Sequence, residues 1–442
     1  MAPLNFALDD QDAGSRAVFS FGGQQFEVKG ENGSIVIPPS KWKKLLESAA
    51  GDSIQVTVQV KQGNEWAAYS PFAIRVAPEK VDSYLAYRLI DPGYELWNKM
   101  GIYQRDLESY TQIPIIENKM SGNNCVNCHS FCMQDPNKML FHMRETFPGT
   151  ILVDGDKIEK LNTKTKETIS SLVYPSWHPS GKYVAFSVNT TKQAFHLNDR
   201  NRVEVYDEAS DVVVYDVEKH EIVTASNIFS KDAFETFPTF SPDGKTLYFC
   251  TAEARPIPQE YSEVKYNLCS VSFDPVTRAF GAQVDTLYNA KSGGMSASFP
   301  RVSPDGRYLL YTLSGYGNFS IWHKEANLWL LDLTSGDLRE LSEVNSDDTE
   351  SFHNWSSNSR WFVFSSRRGD GLYTRLYLAS MDENGKISKP FLLPQEDPET
   401  YYDRSVYSYN VPDFVNAPIL LDTKVFEKRI TSKERIQVQV GD

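Results

Sequence analysis

The stretch YPSWHPSGKYVAFSV, beginning at Tyr174, returns downstream without gaps as FPTFSPDGKTLYFCT from Phe237, FPRVSPDGRYLLYTL from Phe299 and FHNWSSNSRWFVFSS from Phe352. The starts lie 63, 62 and 53 residues apart. Each copy opens on an aromatic residue, runs a short strand into an SPDG-type turn and continues into an apolar strand. Two further strand-like runs follow each copy: DVVVYDVEKHEIV, NLCSVSFDPVTRAFG, NLWLLDLTSGDLREL and RLYLASMDENGKISKPFLL. Four antiparallel strands per unit, recurring along the chain, predict the blades of a β-propeller.

Working outward, CHSFCMQDPNKMLFHM from Cys128 fits the same frame when Cys128 takes the place of the leading aromatic, which gives a fifth blade with TILVDG and KIEKL as its outer strands. A sixth can be assembled from Tyr401 to Phe414 with a strand from the N-terminal side. Upstream, residues 1–78 alternate in the strand period (AVFSF, QQFEV, SIVI, IQVTVQV, PFAIRV) and predict a small β-sandwich. One short helix interrupts it, with Ser40 as N-cap and Trp42, Leu45 and Leu46 on its buried side. Residues 79–124 carry Tyr84, Tyr87, Leu89, Leu96, Trp97 and Leu107 at helical spacing, broken by Pro92 and Gly93, and predict a helical linker. The expected architecture is therefore mainly β: a five- to six-bladed propeller over 125–415, preceded by the sandwich and linker and followed by a tail, 416–442.

The SPDG turns and the NLWLLDLTSG strand pair resemble the TolB-like, PD40 subset of WD40-like propellers, over roughly Cys128 to Leu393. The resemblance implies the fold and, in that family, binding of peptides or partner proteins at the channel mouth. Propellers host hydrolases, lectins and scaffolds alike, so chemistry has to come from a site.

Five cysteines fall into two groups. Cys250 and Cys269 sit in apolar strands and read as core residues. Cys125, Cys128 and Cys132 lie in NNCVNCHSFC, which contains CxxCH, the attachment signature of c-type haem. Two thiols three residues apart add to the two vinyl groups, and the following imidazole is held over the iron as proximal ligand. With five Cys and seven His in the chain, a chance CxxCH is expected on the order of once in a thousand. The predicted cofactor is haem c, attached through Cys125 and Cys128 and ligated by His129. Alternatives are zinc on Cys125, Cys128, His129 and Cys132, or no cofactor, with a Cys125–Cys128 disulfide as a staple.

In a propeller, the loop leading into the first strand and the loop joining strands two and three share a face. That places His196 and His323 on the haem side, and His353 opens a first strand, so these three are the distal-ligand candidates. Arg367 and Arg368 are candidate propionate contacts. A net charge of −13 argues against nucleic acid as a partner. No run of about 18 apolar residues predicts a transmembrane segment. The N-terminus MAPLNFALDD has neither the basic nor the apolar region of a secretory signal. Because haem c is attached outside the bacterial cytoplasm, the motif implies a periplasmic or outer-surface protein whose signal, and possible lipid anchor, belong to a precursor. The expected partner is a redox protein or a peptide on the haem face. No GxSxG segment with a hydrolase domain, phosphate-binding loop or HExxH is present, so the chain is not expected to be a hydrolytic enzyme.

Overall fold

The structure, a computed structural model, describes residues 1–8, 14–91, 99–397 and 400–441. Each quoted repeat forms two adjacent antiparallel strands: Leu172–Trp177 with Tyr183–Phe195, Ala233–Phe240 with Thr246–Glu253, Ser296–Val302 with Tyr308–Ser314, and Glu350–Trp355 with Trp361–Ser366. The turns between them follow from their chemistry. In SPDG, Asp243 Oδ1 accepts from Ser241 Oγ (2.5 Å) and from the Lys245 amide (3.0 Å), while Gly244 takes φ +71° and donates its amide to the Ser241 carbonyl. An Asx turn followed by a left-handed glycine reverses the chain without strain. Ser303, Asp305 and Gly306 repeat this, and Ser356, Asn358 and Ser359 reproduce it with Asn358 as acceptor.

Each pair is completed by the strands that follow it, Val203–Asp216 and Glu221–Val223, Asn267–Asp274 and Ala279–Tyr288, Asn327–Asp332 and Leu338–Glu340, and Arg375–Ser380 and Phe391–Leu392. The segment from Cys128 forms the corresponding sheet from Val126–Phe131, Lys138–Met143, Gly149–Asp154 and Lys157–Asn162. A further antiparallel sheet joins Ser408–Val415 to Tyr84–Ile90, Met100–Asp106 and Gln112–Glu117. The first strands pack one on the next in chain order, and Ser408–Val415 touches both Glu350–Trp355 and Val126–Phe131. The arrangement is mainly β and propeller-like.

Two expectations are corrected. The linker read as helical supplies three strands; Leu96, Trp97, Pro92 and Gly93 lie outside the described residues. Helical spacing misled because Tyr84–Ile90 is buried on both faces: Leu85, Ala86 and Tyr87 are all inaccessible, so no period of two survives. The tail is also structured. Helix Thr423–Ile430 buries Phe426 and Ile430 against the sheet that begins at Val126, and Lys160 Nζ donates to the carbonyls of Ile430 and Ser432, both at 2.7 Å. Ile436–Gln437 and Gln439–Val440 then add parallel strands to the outer edges of two neighbouring sheets.

The N-terminal unit is built on one sheet of Ser15–Phe21, Gln24–Lys29, Ser53–Gln62, Glu65–Ala68 and Phe72–Arg75. Helix Pro39–Ser48 and the short pair Phe6–Ala7 with Ser34–Ile35 contribute to the same core, in which Trp42 meets Phe19 edge-on at 6.1 Å. The helix is capped at Pro38, with proline in its first turn, rather than at Ser40, because a prolyl ring presets helical φ and forfeits no needed donor.

Candidate functional site

The first strand of every propeller-like sheet shifts register at the same place, and the residue at the shift takes a left-handed backbone: Cys128 (φ 54°), Tyr174 (50°), Phe237 (51°), Phe299 (52°), Phe352 (45°) and Val411 (49°). Bulky residues rarely occupy this region, at a cost of roughly 1–2 kcal/mol each. Six equivalent bulges turn six side chains toward the middle of the ring. Four are aromatic and stack round it, with centroids 4.9 Å apart for Tyr174–Phe237, 4.0 Å for Phe237–Phe299 and 4.8 Å for Phe299–Phe352. Phe319, Ile321 and Trp322 join the same apolar cluster. At the two remaining positions stand Cys128 and Val411, neither of them aromatic.

A cavity of about 260 Å³ lies against the collar, walled by Cys128, His129, Arg88, Asn127, Arg367 and Trp322. His129 also reaches a smaller cavity of about 120 Å³, which it shares with His353, Arg301 and Asp413. The His129 ring is 3% exposed, and neither nitrogen has an aligned hydrogen-bond partner. Burial, then the Arg88 charge, pushes its pKa down to about 3, with a hydrogen-bonding contact to the Val411 backbone a lesser opposing influence. At neutral pH it is a neutral imidazole with lone-pair capacity to spare, the form that binds metals.

Three arginines, Arg88, Arg301 and Arg367, line the same space together with Asp91, and Arg88 and Arg367 are buried. Arg88 donates to Asn127 Oδ1, which also accepts the Cys128 amide at 2.7 Å, but its Nε is unpaired. Arg367 is 8% exposed, lies with its guanidinium 3.9 Å from the Trp322 ring centroid, and makes no side-chain hydrogen bond or ion pair with a described residue. Burial lowers its pKa to about 10, against the pull of Asp348 and Asp370, so it stays charged at neutral pH. Arg88 is the residue that sequence reasoning missed. It sits in the segment read as helical, and its approach to Cys128 depends on the pairing of Tyr84–Ile90 with Ser408–Val415.

The remaining predicted residues are elsewhere. His323 does not line the cavity. Its Nε2 is 3.1 Å from Glu204 Oε1 and its Nδ1 3.6 Å from Glu325 Oε1. Burial alone would lower its pKa, but these carboxylates prevail and raise it to about 9. His353 bonds the Leu310 carbonyl through Nε2 (2.9 Å) and faces only the smaller cavity. His196 stacks on Tyr261, whose hydroxyl is 3.3 Å from Nε2. None of the three lines the cavity of Cys128 and His129, and each has a protein partner of its own. Arg368 does not line this cavity: it pairs with Glu350 Oε1 at 2.8 Å and stacks on Tyr377. Cys132 packs in a separate apolar cluster between sheets, its Sγ 3.8 Å from the His178 carbonyl, so the four zinc ligands are not assembled. Among the described residues no three His, Cys, Asp or Glu side chains converge on a metal position. Cys125 and Cys128 are free thiols, not the alternative disulfide.

The fit to covalent haem divides along the motif. Cys128 and His129 face the cavity, where a neutral imidazole would hold iron and the arginines would hold carboxylates. Cys125 stands outside it, in an apolar cluster with Met100 and Val126, where burial raises its pKa. Among the described residues, no methionine and no second histidine line this cavity.

One wall is contributed by the long hairpin Tyr183–Phe195 and Val203–Asp216, through Gln193 and Val205. The hairpin is tied across the ring to the loop before Asn327 by Glu204 with Tyr316 (2.7 Å) and His323, and by Asp207 with Asn318 (2.6 Å).

No family profile and no curated protein matches the chain. Solved structures do. A Mycobacterium tuberculosis puromycin-hydrolyzing peptidase matches at 13% identity and TM-score 0.41, over 79% of this chain and 53% of its own. The chain thus spans about half the length of that peptidase. The β-propeller domain of Myceliophteria thermophila Cps50 (Swd1) matches at 10% identity and TM-score 0.36, over 75% of this chain and 94% of its own. The tricorn protease matches at 12% identity and TM-score 0.39, over 78% and 34%.

Proposed function

We propose that the chain is a TolB-like propeller of six blades, closed by Ser408–Val415 and the three strands from Tyr84, that carries haem c at the mouth of its channel. The observation that supports this most is the buried, neutral imidazole of His129 beside Cys128 in a cavity that also holds two incompletely paired arginines. His129 would hold the iron, Cys128 and Cys125 would carry the thioether links, and Arg367 would contact a carboxylate. Haem bound there supplies a one-electron couple. The protein's part is to exclude water through the aromatic collar, to keep His129 deprotonated and to orient the group. The function is electron transfer, or haem-dependent recognition, with a redox protein or peptide approaching the cavity face. The reading entails a periplasmic or outer-surface location. Among the described residues no helix is long and apolar enough to cross a membrane.

The position of Cys125 in the apolar cluster favours a second reading, a peptide- or protein-binding propeller with no cofactor. The test is a reduced pyridine haemochrome spectrum and a haem-stained denaturing gel on protein exported with haem-attachment machinery. Covalent haem is expected, abolished by Cys128→Ala and reduced to a single-thioether spectrum by Cys125→Ala. Exported protein without haem, beside a working positive control, leaves the binding module.

A further inference from the structure

We infer that the channel-mouth cavity is a carboxylate site, with Arg367 as its principal anchor and Arg88 as a second, built for a carboxylate carried on a flat apolar body. The reasoning starts from a guanidinium that the protein buries and leaves without an acceptor. Buried charges are ordinarily paired, since water is lost and nothing else replaces it. Arg367 is buried to 8% exposure, its Nε has no partner, and Asp348 and Asp370 influence it without forming an ion pair. Stacking on Trp322 fixes the plane of the guanidinium. A guanidinium so held presents its N–H edge as a rigid fork that matches a carboxylate. Arg88, which lines the same cavity, adds a second unpaired Nε. The lining includes Tyr174, Phe237, Phe299 and Phe352, flat apolar surface, and one carboxylate, Asp91, which forms no ion pair with Arg367 or Arg88.

The chemistry extends beyond the haem reading, because the fork asks for a carboxylate whether its bearer is a macrocycle with propionates or a free aromatic acid. The two sources separate by titration of the purified full-length chain, followed by tryptophan fluorescence and calorimetry. The probes are haemin, haemin dimethyl ester and 2-naphthoate, against wild type and Arg367→Met. The expected result is that haemin binds at least tenfold more tightly than its ester, and that Arg367→Met loses this advantage. Thermal stability of the variant should be unchanged or higher, because removing an unpaired buried charge relieves desolvation.

Equal binding of haemin and its ester to wild type overturns the carboxylate site while leaving haem attachment standing. Binding of 2-naphthoate that depends on Arg367, in a protein that never acquires haem, keeps the site and removes the haem reading. A variant that melts several degrees lower yet binds the probes normally makes Arg367 structural and overturns the proposal, as does failure of every probe to bind.

Discussion

His129, His142 and His353 are buried, and burial holds all three imidazoles at a pKa of about 3. Asp207 and Asp413 are pushed up to about 7, Asp211 to about 6 and Glu235 to about 8, again chiefly by burial. The two groups act in opposite directions on stability. The histidines, depressed below their unfolded value, contribute stability above about pH 6.5 that is lost as pH falls. The acids, raised above theirs, contribute stability below about pH 4 that is lost as pH rises through 6 to 8. His323, raised to about 9, adds to the loss on the alkaline side. The two sets nearly cancel between about pH 4.5 and 6.5, so stability should be greatest there and fall toward pH 8.5 by more than about 1.4 kcal/mol, one pKa unit's worth. Thermal scans at pH 6 and pH 8.5 check this; a midpoint that rises toward pH 8.5 contradicts it. At this scale the CxxCH spacing was legible, because spacing is a property of the chain alone. The partners of His323, His353 and His196 were not, since Glu204, Leu310 and Tyr261 are far off in sequence.

Turns and bulges carry the repeat at the scale of elements. A Cβ on Gly244 would stand 2.1 Å from His178 Nε2, the ring that bonds the Gly244 carbonyl, and φ there is +71°. Gly336 has φ +79° but nothing within 4 Å. Gly336→Ala should therefore cost only the left-handed penalty of about 1 kcal/mol, whereas Gly244→Ala should cost at least about 2–3 kcal/mol once the clash is added. Chemical denaturation of the pair measures the difference, and equal losses would show that the His178 packing is slack. The strand–turn–strand units were readable because Ser, Asp and Gly act within five residues of one another. The strands at 84–117 were not. Period two marks a strand with one wet face, and Tyr84–Ile90 is dry on both.

The ring of the whole molecule is joined by chain ends. Ser408–Val415 pairs with Tyr84–Ile90 across more than 300 residues, and the C-terminal segment straps two outer edges. Truncation after Asp422 removes Phe426 and Ile430, each worth about 1.5–3 kcal/mol of burial, and leaves Lys160 without its two carbonyl acceptors. A loss of at least about 3 kcal/mol is expected. A truncated chain with an unchanged denaturation midpoint would mean that the strap bears no load.

What the sequence by itself determined is local and periodic: the SPDG turns, the four-strand repeat, the placement of Cys128 at the position of a collar aromatic, and the CxxCH spacing. Those features depend on contacts between near neighbours, whose geometry residue type alone dictates. Only the tertiary structure decided that Cys128 and His129 face a cavity while Cys125 does not. It alone brought Arg88 beside Cys128 and left Arg367 without an acceptor. Each of those facts is a juxtaposition of distant segments, set by which strand closes the ring and by what the packed interior excludes from water.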